Sequence, residues 1–406
     1  MIQWEKIIKR ICPFYNNDKG AFGKSLRMMI AILVVMKFCS LSDRGVINQV
    51  KENRYIQYFC NVPDVGLQTF LNSSSLCVFR KRLGVKGIAI VEEEIFKTIL
   101  HAEIITKDAL IDTTVLSSNI IYPNDVHLIF KAFKKMDNFA KLYNIHVWWD
   151  EKEIKMLWRE FRLNKEKDRE TWLAKFNALF IPALNIFGDK IDFLESIQKE
   201  GVKARYMFNI LSLLEQQTIE KLGGNKHIEN RIVSIDEPDA RPIKKGKTHP
   251  DCEFGTTMQM VFSREGFLVA VENFIGNPND KKLFPGTIEL YKNRMKGYPD
   301  TITTDLGFRS KSNFEVANEV DTVFLGRSND VAENKQDFCR KARSATEGFI
   351  AVAKNLRGFG RSLYRFIEGD RIWSLLCQTA YNLKKFIQLY QEEKIQEKSL
   401  IKLGLL

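Results

Sequence analysis

The sequence predicts an α/β protein with a mixed sheet flanked by helices, a helical N-terminal domain and a largely helical insertion after the first strand. Residues 24–57 carry apolar side chains at spacings of three and four, which indicates a helical pair. Residues 107–116 form a short run rich in β-branched side chains, which is typical of a buried strand. From residue 254 onward, strand-like and helix-like segments alternate, which favours a mixed sheet covered by helices.

The individual elements follow from the same periodicities. Ser40 or Ser42 is placed to cap a second helix that begins near Asp43, and a third predicted helix covers residues 67–84. Residues 125–225 return to helical spacing, with many charged and aromatic side chains. Beyond them the sequence predicts a hairpin of two strands, at residues 255–263 and 266–275, and then a helix at residues 280–296. A strand at 300–305, a second helix at 311–319 and a final strand at 321–326 follow.

The length of 406 residues exceeds the usual size of a single hydrophobic core. We therefore expect five segments along the chain. They are a helical N-terminal domain, the first part of the sheet domain, the helical insertion, the remainder of the sheet domain and a tail, at residues 1–100, 105–124, 125–250, 251–390 and 391–406.

The charge balance favours a polyanionic partner. Lysine and arginine number 62 against 50 acidic residues, which gives a net charge of +12. Arg80, Lys81 and Arg82 form a basic run near the end of the third predicted helix. Two interpretations of this run stay open, a solvated helix face and a contact with DNA.

The sequence gives no sign of a membrane span or of export. The apolar run from Met28 to Met36 is too short to cross a hydrocarbon layer of about 30 Å, and it predicts a buried helix. The first ten residues lack the pattern of a signal peptide. The seven cysteines are scattered without a CxxC pair, as expected for reduced thiols. We therefore expect a cytoplasmic protein that does not contact membranes.

Acidic residues on the predicted strands are the strongest candidates for chemistry. Asp112 and Asp305 lie on short strand-like segments, where burial of an unpaired carboxylate costs several kcal/mol. A basic partner, backbone donors or a divalent cation would compensate for this burial. Arg343, Glu347 and Lys354 follow at spacings of four and seven, which places them on one helix face. The alternatives are turn-capping aspartates and an ordinary solvated helix with ion pairs.

Three converging carboxylates would form a hard oxygen site for two Mg²⁺ or Mn²⁺ ions about 4 Å apart. Such a pair of ions suits phosphodiester chemistry, which needs no nucleophilic side chain. This agrees with the lack of a convincing Ser/His or Cys/His arrangement in the sequence.

Together these motifs resemble the DDE transposases of bacterial and archaeal insertion sequences, in the branch with an InsH-like N-terminal domain. The resemblance covers residues 24–390 and depends on LIDTTVLSSNIIYPND, TTDLGFRSKSN and ATEGFIAVAKNLRGFGRSLYR. The chain departs from the family at Arg340, which stands where the glutamate helix often has tyrosine, and at Leu306, where a basic residue is more common.

The resemblance implies a ribonuclease-H-like core that cleaves the ends of an insertion sequence and transfers the strands into target DNA. It implies Asp112, Asp305 and Glu347 as catalytic ligands of two Mg²⁺ or Mn²⁺ ions. DNA contacts are expected from Arg343, Lys354, Arg80, Lys81 and Arg82, the last three in the N-terminal DNA-binding domain.

The implied partner is double-stranded DNA, both as element ends and as target, bound by a homodimer or a higher synaptic complex. The implied location is the nucleoid-associated cytoplasm of a prokaryote. Two alternatives remain, namely an inactive or domesticated transposase that only binds DNA, and a ribonuclease-H-like nuclease that cuts without joining.

Overall fold

Two units make up the computed structural model, Met1–Ser117 with Thr256–Leu406, and Ser118–Gly255. The residues that it describes are 2–15, 23–62, 71–144, 146, 149–164, 168–195, 198–225, 227–244 and 252–402. Across these ranges, no helix has the length and apolar character needed to cross a membrane.

The described residues at the start of the first unit form the helices α1 (Trp4–Ile11), α2 (Leu26–Phe38), α3 (Asp43–Glu52), α4 (Arg54–Cys60) and α5 (Ser73–Leu100). The predicted apolar run forms most of α2 and is buried on all sides, so α2 is the central helix of this region. Ser42 caps α3 by accepting a hydrogen bond from the Gly45 N–H at 3.0 Å, which confirms one of the two predicted caps. The start of the third predicted helix, residues 67–70, lies outside the described residues.

The described part of the chain contains a sheet of seven strands, which confirms the predicted mixed α/β architecture. They are β1 (Asp108–Ser118), β2 (Arg241–Ile243), β3 (Glu253–Phe262), β4 (Leu268–Phe274), β5 (Thr301–Thr304), β6 (Thr322–Leu325) and β7 (Arg361–Ser362). Strands β1, β5 and β6 run parallel, whereas β3 pairs antiparallel with β4 as the predicted hairpin and with β2. β1 lies between β3 and β5, and β7 also pairs with β1. This arrangement is consistent with a ribonuclease-H-like core.

Helices cover both faces of the sheet in the first unit. They are α10 (Asp280–Met295), α11 (Lys311–Val316), α12 (Glu333–Leu356), α13 (Phe366–Gln391) and α14 (Glu397–Lys402). Ala109 and Ile111 of β1 share a hydrophobic cluster with Phe284 and Tyr291 of α10. Leu110, on the opposite face, shares a cluster with residues of α12 and α13. The alternation follows the two-residue period of a strand, so odd positions of β1 face α10 and even positions face α12.

The second unit is largely helical, as the sequence predicts for the insertion. Its helices are α6 (Asp125–Leu142), α7 (Glu151–Leu163), α8 (Arg169–Glu195) and α9 (Gln198–Leu222). Its core is rich in aromatic side chains, and Phe130 stacks on Trp158 with ring centroids 4.4 Å apart. Asp236 accepts hydrogen bonds from Lys131 and Lys135 of α6. Burial alone would raise the pKa of Asp236, but the two lysines outweigh it and lower that pKa to about 2.

A buried ion pair connects the N-terminal helices to the sheet region of the first unit. Arg294 of α10 donates two hydrogen bonds of 2.7 Å to the carboxylate of Glu92 on α5. Only 1% of the Glu92 side chain is exposed, and burial raises the pKa of Glu92 despite the adjacent guanidinium. The pair therefore fixes the position of α5 against α10 while carrying a desolvation penalty.

We expect Arg294→Met to destabilise the protein by about 3–5 kcal/mol, because it leaves the buried Glu92 carboxylate without a partner. Urea unfolding followed by circular dichroism measures the change in the free energy of unfolding. The double variant Glu92→Met/Arg294→Met should recover most of this loss, since it removes both charges. A double variant that is no more stable than Arg294→Met alone would contradict this account of the pair.

Candidate active site

Parallel pairing of β1 with β5 brings the two candidate aspartates together. The register places Leu110 opposite Thr303. Two residues beyond this last pair stand Asp112, within β1, and Asp305, which directly follows β5. Asp112 occupies an even position of β1, on the face that α12 covers. Both aspartates are half-buried.

Local hydrogen bonds orient both carboxylates. Asp305 caps the short 3₁₀ turn Leu306–Phe308, and its Oδ1 accepts a hydrogen bond from the Gly307 N–H at 2.9 Å. The Asp112 Oδ1 accepts a hydrogen bond from the Thr113 N–H at 2.7 Å. Each aspartate is thus held at a defined position by backbone donors, which is one of the compensations that the sequence suggested.

Gly326, the residue after β6, allows the chain to pass close to Asp305. Its φ of +85° lies in the left-handed region that favours glycine. A Cβ at this position would lie 2.5 Å from the Leu306 nitrogen and 2.8 Å from the Asp305 carbonyl carbon. A side chain at position 326 would therefore displace the backbone that carries Asp305.

A buried carboxylate holds the turn that follows Gly326. Asp330 forms an ion pair with Arg309, and its Oδ2 accepts hydrogen bonds from the backbone N–H groups of Leu325 and Arg327 at 3.1 and 3.2 Å. Arg309 follows the 3₁₀ turn that Asp305 caps. The pair therefore links the chain segments that follow β5 and β6.

An open cleft of about 620 Å³ lies beside Asp305 and contains the predicted glutamate. Glu347 accepts a hydrogen bond of 3.1 Å from Arg343, and 65% of its side chain is exposed. Asp112 is not among the residues that line the cleft. Those residues are Asp305, Leu306, Phe324, Gly326, Ser328, Arg340, Arg343, Ser344 and Glu347.

The apolar side of α12 orients its polar side toward the cleft. Ala342 and Ala353 are buried in the hydrophobic cluster between α12, α13 and the sheet, and Phe349 packs against the same cluster. Phe349 also contacts the β3–β4 turn, where a Cβ at Gly266 would lie 2.7 Å from its ring. Because these side chains fix the rotation of α12, Glu347 projects from the opposite side, toward the cleft.

The acidic groups suit a divalent cation in their chemistry, since carboxylate oxygens are the hard ligands that Mg²⁺ and Mn²⁺ prefer. Within the described ranges, no group of three or more histidine, cysteine, aspartate or glutamate side chains is gathered in a geometry that could hold a metal ion. Glu347 pairs with Arg343 instead. A three-carboxylate site would require Glu347 to leave this pair and turn toward Asp305.

The basic run on α5 differs from both sequence interpretations, which expected three exposed cations. Arg80 is buried and donates hydrogen bonds of 2.7 and 2.6 Å to the two carboxylate oxygens of Asp43. Burial alone would lower the pKa of Arg80, but the hydrogen bonds that Arg80 donates to Asp43 outweigh it and raise that pKa. Lys81 and Arg82 are exposed. Arg80 therefore stabilises the fold. Of the three cations expected to contact DNA, Lys81 and Arg82 are the exposed ones.

Several residues around the cleft were not predicted from the sequence. Gly326 ends a predicted strand, and a glycine at this position indicates an unusual backbone conformation. Asp280 was predicted only as the start of a helix, yet its Oδ1 accepts a hydrogen bond from the Thr113 hydroxyl at 3.0 Å. The buried Asp330 gave no local signal, because its donors are distributed over the segments that follow two strands.

We expect Gly326→Ala to destabilise the protein by about 1–3 kcal/mol, because alanine is strained at this φ and its Cβ would overlap the Leu306 nitrogen. Gly286→Ala is the matched control, since Gly286 lies within α10 with open space around it and should change stability by less than about 1 kcal/mol. Urea unfolding compares the two variants. Equal stabilities would show that the close approach at Gly326 is unimportant.

The exposed cations of α5, Lys81 and Arg82, and the buried Arg80 should affect different properties, DNA binding and stability respectively. Replacing Lys81 and Arg82 by glutamine should weaken DNA affinity and reduce its salt dependence by about one unit of slope per lost phosphate contact. Arg80→Gln should instead lower the free energy of unfolding, because it leaves Asp43 without its partner. Fluorescence anisotropy with a duplex at several salt concentrations measures the slope. An unchanged slope in the double variant would favour a solvated helix face.

Comparisons with known proteins support the coarse form of the resemblance. Residues 1–82 match the family described as "Transposase domain (DUF772)". The chain is also 27% identical over 155 residues to "Uncharacterized protein ORF8 in nfe locus" from Rhizobium meliloti, covering 36% of this chain and 72% of that protein. No solved structure matches the chain significantly. The chain therefore carries a transposase-family domain at its N-terminus, which supports a transposase function in general terms.

Proposed function

We propose that the chain is a DDE-type DNA transposase that cleaves the ends of an insertion sequence and transfers the strands into target DNA. The observation that carries this proposal is the parallel pairing of β1 with β5, which brings the segments that carry Asp112 and Asp305 side by side, together with the cleft that Asp305 and Glu347 both line. The transposase domain at residues 1–82 supports the same conclusion independently.

In this proposal Asp112, Asp305 and Glu347 are the residues that would hold two Mg²⁺ or Mn²⁺ ions. Bound there, the ions would activate a water or 3′-hydroxyl and stabilise the leaving oxygen of an in-line displacement. The protein contributes the positions of the ligands: the Gly307 N–H orients Asp305, and packing of α12 directs Glu347 toward the cleft. Release of Glu347 from Arg343 also frees a guanidinium for a phosphate at the same level of α12.

The proposed partner is double-stranded DNA, as element ends and as target, bound by a homodimer or a higher assembly. Arg340 and Arg343 line the cleft, and Lys354 lies two turns further along α12 than Glu347. Arginine at position 340 adds a cation where the resembling family often has an aromatic side chain. We therefore assign Arg340 and Arg343 to the phosphates of the DNA end.

We expect Glu347→Gln and Lys354→Ala to impair different steps, cleavage and DNA binding respectively. Glu347→Gln keeps the shape of the side chain but removes a charge that holds a cation, so cleavage should fall by orders of magnitude while DNA binding persists. Lys354→Ala removes a proposed phosphate contact, so it should weaken the complex with DNA and leave metal dependence unchanged. The assay is nicking in Mg²⁺ or Mn²⁺ of a supercoiled plasmid that carries the sequences flanking the gene, with gel shifts in Ca²⁺.

Asp337→Asn is the matched control for Glu347→Gln. Asp337 forms an ion pair with Lys341 four residues along the same helix, at 2.7 Å, and it does not line the cleft. Its loss should leave cleavage unchanged. If Glu347→Gln cut at the parent rate, the DDE assignment would fail. Cleavage without any strand transfer by the parent protein would favour the nuclease alternative.

A further inference from the structure

The short segment between α12 and α13 carries a strip of exposed basic and apolar side chains to which the proposed mechanism gives no role. The strip consists of Arg361, Leu363, Arg365 and Phe366. Leu363 is 59% exposed and Phe366 is 40% exposed. Large apolar side chains that are exposed together and flanked by cations favour a surface that binds a partner.

The inward-facing side chains of this segment are anchored in the core, so the strip has a fixed position. Ser362 is fully buried, and its hydroxyl accepts a hydrogen bond of 3.2 Å from the Tyr364 N–H. The Tyr364 ring packs edge-on against Trp373 of α13, with ring centroids 4.9 Å apart. The Trp373 indole N–H donates a hydrogen bond of 2.8 Å to the Gly358 carbonyl oxygen. The exposed side chains alternate with Ser362 and Tyr364, and these contacts therefore direct them outward.

The backbone holds Phe366 at the surface in a strained conformation. Its φ of +64° lies in the left-handed region, which is rare for a side chain of this size. Such a conformation persists only where the surrounding structure imposes it, and strained residues cluster at binding and catalytic sites. The strain therefore favours a role for Phe366 at the surface.

The charge of the strip matches a polyanion. Among the residues that the structure describes, neither Arg361 nor Arg365 forms an ion pair with a carboxylate. An exposed guanidinium without a carboxylate partner keeps its donors available for a phosphate. Leu363 lies between the two arginines, so charged and apolar groups alternate along the strip as phosphates and sugars alternate along a DNA strand.

The strip lies on the same sheet as Asp112. β7 holds Arg361 beside β1, where the Ser117 N–H donates a hydrogen bond of 3.4 Å to the Gly360 carbonyl oxygen. Along β1, the step from Asp112 to Ser117 corresponds to about 16 Å at about 3.3 Å per residue. Because one DNA strand rises about 3.4 Å per nucleotide, this distance spans about five nucleotides. A duplex whose cleaved bond lies at the proposed active site therefore extends far enough to reach the strip.

We propose that the strip binds the sugar–phosphate backbone of double-stranded DNA about five nucleotides from the cleaved bond. Arg361 and Arg365 contact phosphates, and Leu363 and Phe366 pack against the sugars between them. The inference rests on the proposed function, because it adds a contact with the same DNA. Backbone contacts do not read the base sequence, so the strip contributes affinity and sets the position of the duplex.

Fluorescence anisotropy tests the proposal with the full-length protein and a duplex that carries the sequences flanking the gene, in Ca²⁺ at several salt concentrations. Arg361→Gln/Arg365→Gln should weaken DNA affinity and reduce its salt dependence by about two units of slope, one for each lost phosphate contact. Arg361→Lys/Arg365→Lys keeps both charges and should retain the slope. Leu363→Ala should weaken the affinity without changing the slope. Lys394→Gln/Lys398→Gln removes two exposed cations beyond α13 and is the control that should bind like the parent.

Methylphosphonate substitution of single phosphates in the duplex locates the contact. The cleaved bond is first mapped with the parent protein in Mn²⁺. Removing the charge of a phosphate about five nucleotides from that bond should weaken binding by the parent. The same substitution should leave binding by Arg361→Gln/Arg365→Gln unchanged, because this variant has already lost the contact.

The outcomes separate this inference from the proposed function. If the parent cleaves the duplex and Arg361→Gln/Arg365→Gln keeps the parent slope, the role of the strip is overturned and the proposed function stands. A parent protein that binds the duplex but does not cleave it in Mg²⁺ or Mn²⁺ would overturn the proposed function instead. If Leu363→Ala lowers the oligomer mass in analytical ultracentrifugation and binds DNA like the parent, the strip is an interface between copies of the chain and the proposal is overturned.

Discussion

Backbone pairing between β1 and β5 is the constraint on which the candidate site depends. Hydrogen bonds between the two strands set the register, and its last pair, Leu110 with Thr303, lies two residues before Asp112 and Asp305. A shift of one residue in either strand would turn one aspartate to the opposite face of the sheet. The two carboxylates are therefore positioned by the hydrophobic cores on both faces, since Ala109 and Ile111 must face α10 while Leu110 faces the α12 side.

The remaining parts of the site are attached to this pair by contacts of different strength. The Asp305 turn is held by the close passage of Gly326 and by the Arg309–Asp330 ion pair, so it is a rigid part of the cleft. Glu347 is less constrained, because an exposed ion pair with Arg343 contributes only about 0–1 kcal/mol and exchanges readily for another partner. This difference suits an enzyme in which two ligands are fixed and the third is recruited with the DNA.

Sequence periodicity predicted much of the fold because the relevant information is local. The β3–β4 hairpin, the β5–α11–β6 unit, the central apolar helix α2 and the Ser42 cap all follow from spacing and turn residues. The position of Arg80 depends on a tertiary partner as well as on spacing. Helical spacing places Arg80 on the same side of α5 as the buried Leu76 and Leu83, and Asp43 accepts its two hydrogen bonds there.

The type and position of the residues in the sequence indicated most of the candidate acidic side chains, whereas they did not indicate Asp280. Aspartates on strand-like segments indicated Asp112 and Asp305, and helical spacing placed Arg343 and Glu347 on one helix face. Asp280 was invisible to this reasoning, because an acidic residue at a helix start has an ordinary explanation in the helix dipole. Its hydrogen bond with Thr113 joins residues far apart in the chain, which no local pattern encodes.

The convergence of the carboxylates is tested most directly by the crystal structure of the protein bound to its DNA end in Mn²⁺, with the metal located by anomalous scattering. The account predicts Mn²⁺ between Asp112 and Asp305, with Glu347 turned away from Arg343 to complete the site. Carboxyl carbons of these three residues more than about 10 Å apart in the DNA complex would exceed the reach of a two-ion site and contradict it.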